Sequence, residues 1–340
     1  MSNLKKQTGL ALPKITIVTP TLNQGPFLEQ CIQSVLDQSY PNLEFIVMDG
    51  GSTDQTLDIL KKYSAHLTFW ESKPDKGQSH AINKGLKRGS GQIFNWLNSD
   101  DFLVPDALKF IGEEFQKSPF LALCGRVNVW DDKEFSHVRK PSYIGASLAE
   151  SIGDFNINQE GTWWNYDVLR SIGGVDEQLH YCMDVDLWFR FLLHPSSLKV
   201  REVPTILSNF RRHNHAKSTL ANSEDYFNSH FFKESTLIFD GLLPPSKSWS
   251  YSEFSADPFF SHGKKPMGYS ASARLRNEIM HIRLLKLGRL AFDMNQIHKA
   301  SQILDKVSLF YFGRFYKDIN YLRRIILKER IWRIGKPLRQ

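Results

Sequence analysis

Residues 92–101, QIFNWLNSDD, join an apolar run to a polar end. The first six of them predict a short buried strand. Two carboxylates, Asp100 and Asp101, follow that strand directly. The apolar residues 43–48 lead in the same way into a second polar cluster, residues 49–54. Because open α/β sheets bind their ligands at the carboxyl ends of the strands, both clusters are candidate binding residues.

Strands and helices alternate on both sides of this stretch. Short apolar runs predict the strands, and apolar residues three and four positions apart predict the helices. The predicted strands are residues 15–19, 43–48, 67–70 and 92–97, and the predicted helices are residues 25–38, 57–63 and 78–87 and one beginning at Pro105. This alternation predicts an α/β fold with a mostly parallel central sheet flanked by helices.

The second half of the chain has a less regular pattern. Residues 121–129 and 203–210 predict strands, and residues 184–193 predict a short helix. Residues 236–270 hold many Ser, Pro, Gly and Phe without a clear period, which predicts a loop-rich connection. From Ala273 onward the apolar spacing is helical again. It therefore predicts a helical C-terminal extension.

Composition excludes several classes of protein. Hydrophobic residues make up 41% and charged residues 23% of the 340, so extended disorder is not expected. No apolar run reaches the roughly 20 residues that a membrane span needs. The cysteines, Cys31, Cys124 and Cys182, lie far apart, which excludes a disulfide framework and a Cys-rich zinc site. A reducing cytoplasm is the expected location.

The net charge of +7 belongs to the end of the chain. Residues 310–340 contain nine basic and two acidic residues, so residues 1–309 are neutral overall. A neutral body argues against nucleic-acid binding, because such a fold spreads Lys and Arg over its working face. The tail has two interpretations. It either attaches peripherally to the anionic inner face of a membrane, at about 1 kcal/mol per basic residue, or forms a helical cap with a solvated face.

Both acidic clusters also have a structural interpretation. Asp100 and Asp101 suit Mg²⁺ or Mn²⁺, which prefer oxygen ligands. Ser99 or Asp100 could instead cap the helix that begins at Pro105. Residues 49–54 are equally typical of a turn followed by a helix cap. Taken singly, the two clusters leave these alternatives open.

Four motifs taken together resemble those of the family 2 glycosyltransferases. The motifs are residues 18–24 (VTPTLNQ), 49–54 (DGGSTD), 75–77 with 83–85 (DKG with NKG), and 96–101 (WLNSDD). A looser similarity continues through residues 159–164 (QEGTWW), 173–177 (GGVDE), 184–188 (DVDLW) and 210–213 (FRRH). The similarity covers residues 13–218, and its specificity comes from the order and spacing of the motifs.

The resemblance implies a GT-A fold and an inverting glycosyltransferase that depends on a divalent metal, Mg²⁺ or Mn²⁺. The donor would be a nucleotide-diphospho-sugar, and the acceptor a hydroxyl of a glycan or lipid-linked glycan in polysaccharide biosynthesis. Residues 13–235 would form the GT-A domain, with a donor half at about 13–102 and an acceptor half at about 120–215. Residues 236–270 would connect it to a basic helical extension, residues 271–340.

The resemblance also assigns residues to the site. The metal would be bound by Asp101 and His213, and the catalytic base would be Asp184 or, two residues later, Asp186. The donor would be bound by Thr19, Pro20, Thr21, Asn23, Asp49, Gly50, Asp75, Gly77, Asn83, Asp100 and Arg211. His213 could instead belong to a surface basic cluster, and Trp163 with Trp164 is interpreted as core packing.

The sequence departs from the family pattern in two places. Gly50 stands where many members have a second Asp that reads the base, so Asp75 or backbone groups would take that task. Met183 stands where members often have Glu before the base, which leaves the choice between Asp184 and Asp186 open. Two other functions follow as alternatives: a nucleotide-sugar-binding protein with impaired catalysis, and a nucleic-acid-binding protein suggested only by the pI of about 9.1.

Overall fold

The computed structural model describes residues 11–194, 199–214, 216–217, 229–242, 269, 271–305 and 324–325. The chain divides into two compact units. The first comprises Met1–Ser142 and Ile157–Ala221, and the second comprises Tyr143–Asn156 and Asn222–Gln340. Residues 143–156 therefore group with the C-terminal part, although they lie within the predicted GT-A domain.

Within the described part of the chain, nine strands form one sheet in the first unit. The strands are β1 (Ile15–Thr21), β2 (Leu43–Asp49), β3 (Phe69–Ser72), β4 (Ile93–Trp96), β5 (Phe102–Leu103), β6 (Ala122–Asp131), β7 (Glu134–Arg139), β8 (Thr162–Asn165) and β9 (Val200–Arg212). Their order across the sheet is β3-β2-β1-β4-β8-β6-β9-β5, and β7 pairs with the C-terminal half of β6.

The helices are α1 (Gly25–Leu36), α2 (Thr56–Tyr63), α3 (Gln78–Arg88), α4 (Ala107–Lys117), α5 (Leu148–Gly153), α6 (Tyr166–Ser171), α7 (Met183–Leu192), α8 (His230–Asp240), α9 (Ala273–Asp293) and α10 (Ile297–Asp305). Short 3₁₀ turns cover Ser64–His66 and Gln159–Gly161. Helices α5, α8, α9 and α10 belong to the second unit. The alternation of strands and helices from β1 to α4 agrees with the sequence-based prediction.

The β1 strand organises the parallel part of the sheet. All seven of its residues are buried, as expected for a strand covered on both faces. It pairs in parallel with β2 and β4, and β2 pairs in parallel with β3. The β8 strand then runs antiparallel to β4 and β6, while β6 and β9 are parallel. The predicted α/β fold with a mostly parallel central sheet is confirmed, with antiparallel strands added at β5, β7 and β8.

These three strands were not predicted, and each lacks the usual signal. The β5 strand has two residues, and β7 is an exposed edge strand of sequence EFSHVR. The β8 strand, TWWN, is too short to show a period. Its two tryptophans are 1% and 2% exposed, and Trp164 packs edge-on against Trp188 with ring centroids 5.7 Å apart. Core packing is therefore the correct interpretation of Trp163 and Trp164.

The start of α4 tests whether Ser99 or Asp100 caps that helix. The helix begins at Ala107, and the residue before it is Asp106, which has a left-handed backbone conformation with φ of 60°. Neither Ser99 nor Asp100 occupies the cap position. The N-cap interpretation of these two residues is therefore wrong, because the helix begins at Ala107 and its N-cap residue is Asp106. Pro105 lies before the helix and not in its first turn.

The second unit has its own apolar core. Helices α8, α9 and α10 contribute Phe232, Leu284, Leu285, Leu287, Ala291, Ile297, Ala300 and Ile303. The helical spacing predicted from Ala273 is confirmed by α9. The predicted loop-rich connection, residues 236–270, needs a correction at its start, because α8 continues to Asp240 and buries Ile238 and Phe239. Most of the remaining connection, and the basic tail apart from residues 324–325, lies outside the described residues.

Candidate active site

Hydrogen bonds join the loops that follow the neighbouring strands β1 and β2 at the carboxyl edge of the sheet. Asn23, after β1, has a positive φ of 52°. Its N–H donates to Ser52 Oγ at 2.7 Å, and its Oδ1 accepts the Thr53 N–H at 2.8 Å. The Gly50 N–H donates to the Thr21 carbonyl at 2.9 Å. The loops after β1 and β2 are thus fixed to each other by side-chain and backbone hydrogen bonds.

Asp49 is buried under these loops, with 1% of its surface exposed. Its carboxylate accepts hydrogen bonds from the Ser52 N–H at 3.0 Å, from Ser72 Oγ at 2.5 Å, and from Ser52 Oγ. Asp49 therefore links the ends of β2 and β3. Thr19, two residues before the end of β1, is fully buried.

Asp54 explains the capping signal in residues 49–54. Its Oδ1 accepts the Thr56 N–H at the start of α2, and its Oδ2 accepts the Gly25 N–H at the start of α1, both at 3.0 Å. One carboxylate thus satisfies backbone donors of two helices, where negative charge is also favourable. The residues directly before the two helices are Gln24 and Gln55, so Asp54 binds both helix starts from outside the N-cap position.

Gly50 and Asp75 lie against each other. A Cβ on Gly50 would come within 3.3 Å of Asp75 Oδ1, closer than side chains normally pack. That oxygen accepts the Gly77 N–H at 2.7 Å, and Gly77 has a φ of 108° that favours glycine. The carboxylate of Asp75 therefore occupies the space into which an Asp at position 50 would extend.

Asn83 holds a distant loop. Its Nδ2 donates to the Val175 carbonyl at 2.8 Å and to Glu177 Oε1 at 3.0 Å, and its Oδ1 accepts the Val175 N–H at 3.1 Å. The whole amide is engaged in these bonds, and the residue is 8% exposed. Its contacts give Asn83 a role in fixing residues 173–177, and its direct contact with the donor stays a prediction.

Asp101 is buried at the end of β4, with 2% of its surface exposed. Its Oδ1 accepts the Arg211 N–H at 3.1 Å, and its Oδ2 accepts from Asn98 Nδ2 at 3.4 Å. Burial, together with repulsion from Asp100 and Glu160, raises the pKa of Asp101 well above its usual range. Such a carboxylate is stabilised in its charged form by a nearby cation.

His213 lies beside the acidic pair. Its Nε2 is 3.0 Å from Asp100 Oδ2, and its ring packs on Phe27 with centroids 4.6 Å apart. The side chain is 7% exposed. His213 is therefore not part of a solvated surface cluster, and the alternative given above for this residue is wrong.

Arg211 is buried between two aromatic rings. Its guanidinium lies 5.0 Å from the centroid of Phe27 and 5.2 Å from that of Phe102, and it donates to Gln30. Its backbone holds Asp101 in place, as described above. The side chain of Arg211 is thus already bound within the protein, and its predicted contact with the donor stays a prediction.

The two carboxylates at the start of α7 have different surroundings. Asp186 is fully buried and accepts hydrogen bonds from Arg190 Nε at 2.8 Å and Nη2 at 2.5 Å. Arg190 also donates to the Ile172 and Gly174 carbonyls. Asp184 is half-buried and lies near enough to Glu160 to repel it. Asp186 thus joins the helix to a loop, whereas Asp184 faces the other acidic side chains.

Glu160 belongs to the site and was not among the predicted site residues. It is 5% exposed and lies in the 3₁₀ turn before β8. Burial raises its pKa to about 7, with further upward contributions from Asp184 and Asp100 and an opposing one from Arg139. The only sequence signal for this residue was its place in the loosely similar motif QEGTWW.

Asp100, Asp101 and His213 are the candidate ligands for a divalent cation. In the part of the chain that the structure describes, no three His, Cys, Asp or Glu side chains converge as a metal site made by protein alone. Mg²⁺ and Mn²⁺ are usually held by one or two carboxylates, with substrate phosphates completing the shell. Asp100, Asp101 and His213 supply such a partial donor set, and the pKa of Asp101 is raised by burial first and then by repulsion from Asp100 and Glu160. The donor set fits the cation.

The sheet order and the acidic edge define the class of protein. A parallel β3-β2-β1-β4 unit carries an acidic pair after β4, and Glu160 interacts electrostatically both with Asp100 of that pair and with Asp184 at the start of α7. This is the arrangement of a GT-A glycosyltransferase fold. The family model described as Glycosyl transferase family 2 matches residues 16–189, just over half of the chain, and the chain belongs to that family.

Relatives share parts of the chain. An uncharacterised glycosyltransferase of Rickettsia typhi is 30% identical over 189 residues, which cover 53% of this chain and 59% of that protein. Chondroitin synthase of Escherichia coli is 34% identical over 125 residues, 36% of this chain and 18% of that protein. A putative teichuronic acid biosynthesis glycosyltransferase of Bacillus subtilis is 37% identical over 102 residues, 28% of this chain and 40% of that protein. The chain spans less than two thirds of the length of each.

Solved structures agree with the fold. S. aureus TarS residues 1–349, in complex with UDP-GlcNAc, has a TM-score of 0.56 and 16% sequence identity. The alignment covers 96% of this chain and 93% of that one. At this identity the likeness establishes the GT-A fold alone. In the described residues, no helix is both long and apolar enough to cross a membrane.

Proposed function

We propose that this protein transfers a sugar from a nucleotide-diphospho-sugar to a hydroxyl group, with inversion at the anomeric carbon. The observation that carries the proposal is the meeting of Asp100, Asp101, His213, Glu160 and Asp184 at one edge of the sheet. Asp100 and Asp101 follow β4 and His213 follows β9, at the carboxyl ends where open α/β sheets bind nucleotides, and Glu160 and Asp184 come from the turn before β8 and the start of α7. Membership of glycosyl transferase family 2 supports the same reaction.

Donor binding is assigned to the loops after β1, β2 and β3. Thr19, Pro20 and Thr21 and the Asp49–Gly50 turn would contact the nucleotide, and Asp75 would replace the absent second Asp in recognising the base. The buried Thr21 hydroxyl supports this assignment, because among the described residues it has no hydrogen-bond partner. Unpaired buried hydroxyls are uncommon in proteins, and a ligand oxygen would satisfy this one.

Metal dependence is part of the proposal. Asp101, Asp100 and His213 would hold Mg²⁺ or Mn²⁺, which when bound would offset the charge that develops on the departing nucleoside diphosphate. The charge balance of the site supports this role. A diphosphate is anionic, and it would otherwise approach several carboxylates in a poorly solvated place.

Asp184 is the proposed general base. It is half-buried at the start of α7, its Oδ1 accepts the adjacent Val185 N–H at 2.9 Å, and it interacts electrostatically with Glu160. From there it would remove the proton of the acceptor hydroxyl as that oxygen attacks the anomeric carbon. Asp186 is unsuited to this task because it is fully buried and its Oδ2 is held by two nitrogens of Arg190. Attack from the face opposite the leaving group accounts for the proposed inversion.

The acceptor is proposed to be a glycan or lipid-linked glycan in the assembly of a polysaccharide. Two relatives support this class by name, since one is a chondroitin synthase and the other is assigned to teichuronic acid biosynthesis. The acceptor would bind on the side of α7, within residues 120–215. A cytoplasmic protein peripheral to the membrane through residues 310–340 agrees with their charge.

Nucleotide-sugar binding and turnover together test this function. A thermal-shift screen of UDP-, GDP- and dTDP-sugars, with and without Mn²⁺, should raise Tm for one nucleotide class in the presence of metal. The donor found in this way is then incubated with lipid-linked glycans, and the anomeric configuration of the product is read by NMR. Binding without transfer or donor hydrolysis would favour a binding protein, and a retained configuration would exclude the inverting mechanism.

A further inference from the structure

Glu160 is held in place by its neighbours. Gln159 Nε2 donates to the Trp96 carbonyl at 2.5 Å, and Gln159 Oε1 accepts from Asn98 Nδ2 at 3.4 Å. On the other side of the turn, Thr162 Oγ1 donates to the Asn158 carbonyl at 2.8 Å. These contacts join the turn that carries Glu160 to the end of β4, next to Asp101. The position of Glu160 relative to the acidic pair is therefore fixed by the fold.

One oxygen of Glu160 lacks a hydrogen-bond donor within the described part of the chain. Oε1 is buried and, among the described residues, accepts no hydrogen bond. The Arg139 guanidinium is its ion-pair partner, but Nη1 lies 3.9 Å away, too far for a hydrogen bond. The guanidinium also packs over the ring of Phe210, 4.4 Å from the centroid. An unsatisfied buried carboxylate oxygen is costly and needs an explanation.

The neighbours of Glu160 indicate what could satisfy it. It interacts electrostatically with Asp100 on one side and with Asp184 on the other. Under the proposed function, Asp100 lies at the diphosphate and Asp184 at the attacking acceptor hydroxyl. The transferred sugar must lie between those two groups, because its anomeric carbon is bonded to one and attacked by the other. Glu160 thus borders the place of the sugar ring.

We propose that Glu160 binds a hydroxyl group of the transferred sugar and so helps to select the donor. The Oε1 atom accepts a hydrogen bond from the sugar hydroxyl, which gives this buried oxygen its missing partner. This inference rests on the proposed function, since it requires a nucleotide-sugar donor. It assigns Glu160 to the sugar and not to the nucleotide or the metal.

The test measures how much the sugar adds to nucleotide affinity. By calorimetry with Mn²⁺, the Kd of the nucleoside diphosphate is divided by the Kd of the nucleotide-sugar that gives the largest Tm shift among UDP-, GDP- and dTDP-sugars. Glu160→Gln should lower this ratio about tenfold, the effect of a hydrogen bond to a charged group. The affinity for the nucleoside diphosphate should change less than twofold.

Glu44→Gln is the matched control. Glu44 is also buried, at 6% exposed, but its oxygens accept from Thr16 Oγ1 at 2.6 Å, from Lys14 Nζ at 2.9 Å and from Ser90. The same substitution there should lower Tm without changing the ratio. Glu160→Asp keeps the charge but moves the carboxylate away from the sugar, because its side chain is one methylene shorter. It should also lower the ratio, and it replaces Glu160→Gln in the test if that variant does not fold.

Three outcomes would overturn the inference. If Glu160→Gln and Arg139→Gln lower Tm equally and leave the ratio unchanged, Glu160 is only the partner of a structural ion pair. If Glu160→Gln weakens the nucleoside diphosphate as much as the nucleotide-sugar, it acts on the nucleotide or the metal. If the wild-type protein binds no nucleotide-sugar at all, the proposed function fails together with this inference, which distinguishes that case from the other two.

Discussion

His213 Nε2 lies 3.0 Å from Asp100 Oδ2, although 113 residues separate the two in sequence. The contact joins the end of β9 to the end of β4. The Arg211 N–H, two residues before His213, donates to the neighbouring Asp101. Two strands that are not adjacent in the sheet thereby present an imidazole and two carboxylates together, which no single motif of the sequence contains.

Asp101 should be required for metal-dependent donor binding. Asp101→Asn keeps the shape of the side chain but removes its charge, so nucleotide affinity with Mn²⁺ should fall at least tenfold, about 1.4 kcal/mol. Calorimetry with and without Mn²⁺ measures the change. Asp58→Asn, at an exposed position on α2, is the control and should have no effect. An unchanged affinity in Asp101→Asn would remove the proposed metal role.

Asp100 and His213 should act together in that binding. Asp100→Asn, His213→Gln and the double variant form a double-mutant cycle for nucleotide affinity in Mn²⁺. Because the two side chains are in contact, the coupling energy should be about 0.5–3 kcal/mol. The pair Asp131 and Arg212, an exposed ion pair on the neighbouring strands, serves as the control and should show no coupling in nucleotide binding. Additive effects of Asp100 and His213 would contradict the shared role.

Substitutions of Asp184 and Asp186 should have different effects, the first on the transfer rate and the second on stability. Asp184→Asn should keep donor affinity and lose about 10²–10⁴-fold in transfer rate, the usual effect of removing a general base. Asp186→Asn leaves the Arg190 guanidinium buried without its charge partner and should cost about 3–5 kcal/mol of stability. Single-turnover rates and urea unfolding measure the two effects. The assignment is reversed if Asp186→Asn abolishes transfer in a fully stable protein.

Gly50 and Asp75 should not tolerate a second carboxylate between them. Gly50→Asp would place its Cβ 3.3 Å from Asp75 Oδ1 and bring two negative charges together, so both stability and nucleotide affinity should fall. Adding Asp75→Ser to Gly50→Asp relieves the crowding and should recover part of the lost affinity. Melting curves and nucleotide titrations follow both variants. If the second substitution lowers affinity further, Asp75 and position 50 have independent roles.

The ligand-free protein should be more stable at weakly acidic than at neutral pH. Burial raises the pKa of Glu160 from 4.5 to about 7 in the folded chain, so the folded state binds more protons than the unfolded state between these values. Stability therefore falls as the pH rises through this window. Glu160→Gln should flatten the dependence, measured as Tm from pH 5 to pH 8 without metal. An equally steep dependence in the variant would exclude Glu160 as its source.

Much of the first half of the fold could be predicted because its signals are local. The β1 strand is an uninterrupted apolar run, and α1 buries Leu28, Ile32 and Val35 at the spacing that the sequence displays. Polar residues at strand ends pointed to the acidic edge of the sheet. In contrast, β7 is charged and exposed, so it has neither an apolar run nor an alternation to recognise.

Site residues were harder to predict where their partners are distant in sequence. Asn83 binds Val175, 92 residues away, and nothing in the motif around it indicates that its amide is already engaged. The difference between Asp184 and Asp186 depends on Arg190 and on two backbone carbonyls outside the helix. Glu160 is a single acidic residue in a short turn, and its charged neighbours Asp100, Arg139 and Asp184 come from three separate segments.

The bonds of Asn83 and Arg190 restrict how this protein can move when it works. Asn83 on α3 is hydrogen-bonded to the backbone of Val175, and Arg190 on α7 donates to the carbonyl of Gly174. Two helices therefore bind adjacent residues of one loop. A shift of α7 that carried Asp184 toward a substrate would pull α3 with it, and with α3 the Asp75–Gly77 turn at its start. Under the proposed function, Asp184 and the Asp75–Gly77 turn would therefore move together, and adjustment to acceptors of different size would have to occur elsewhere.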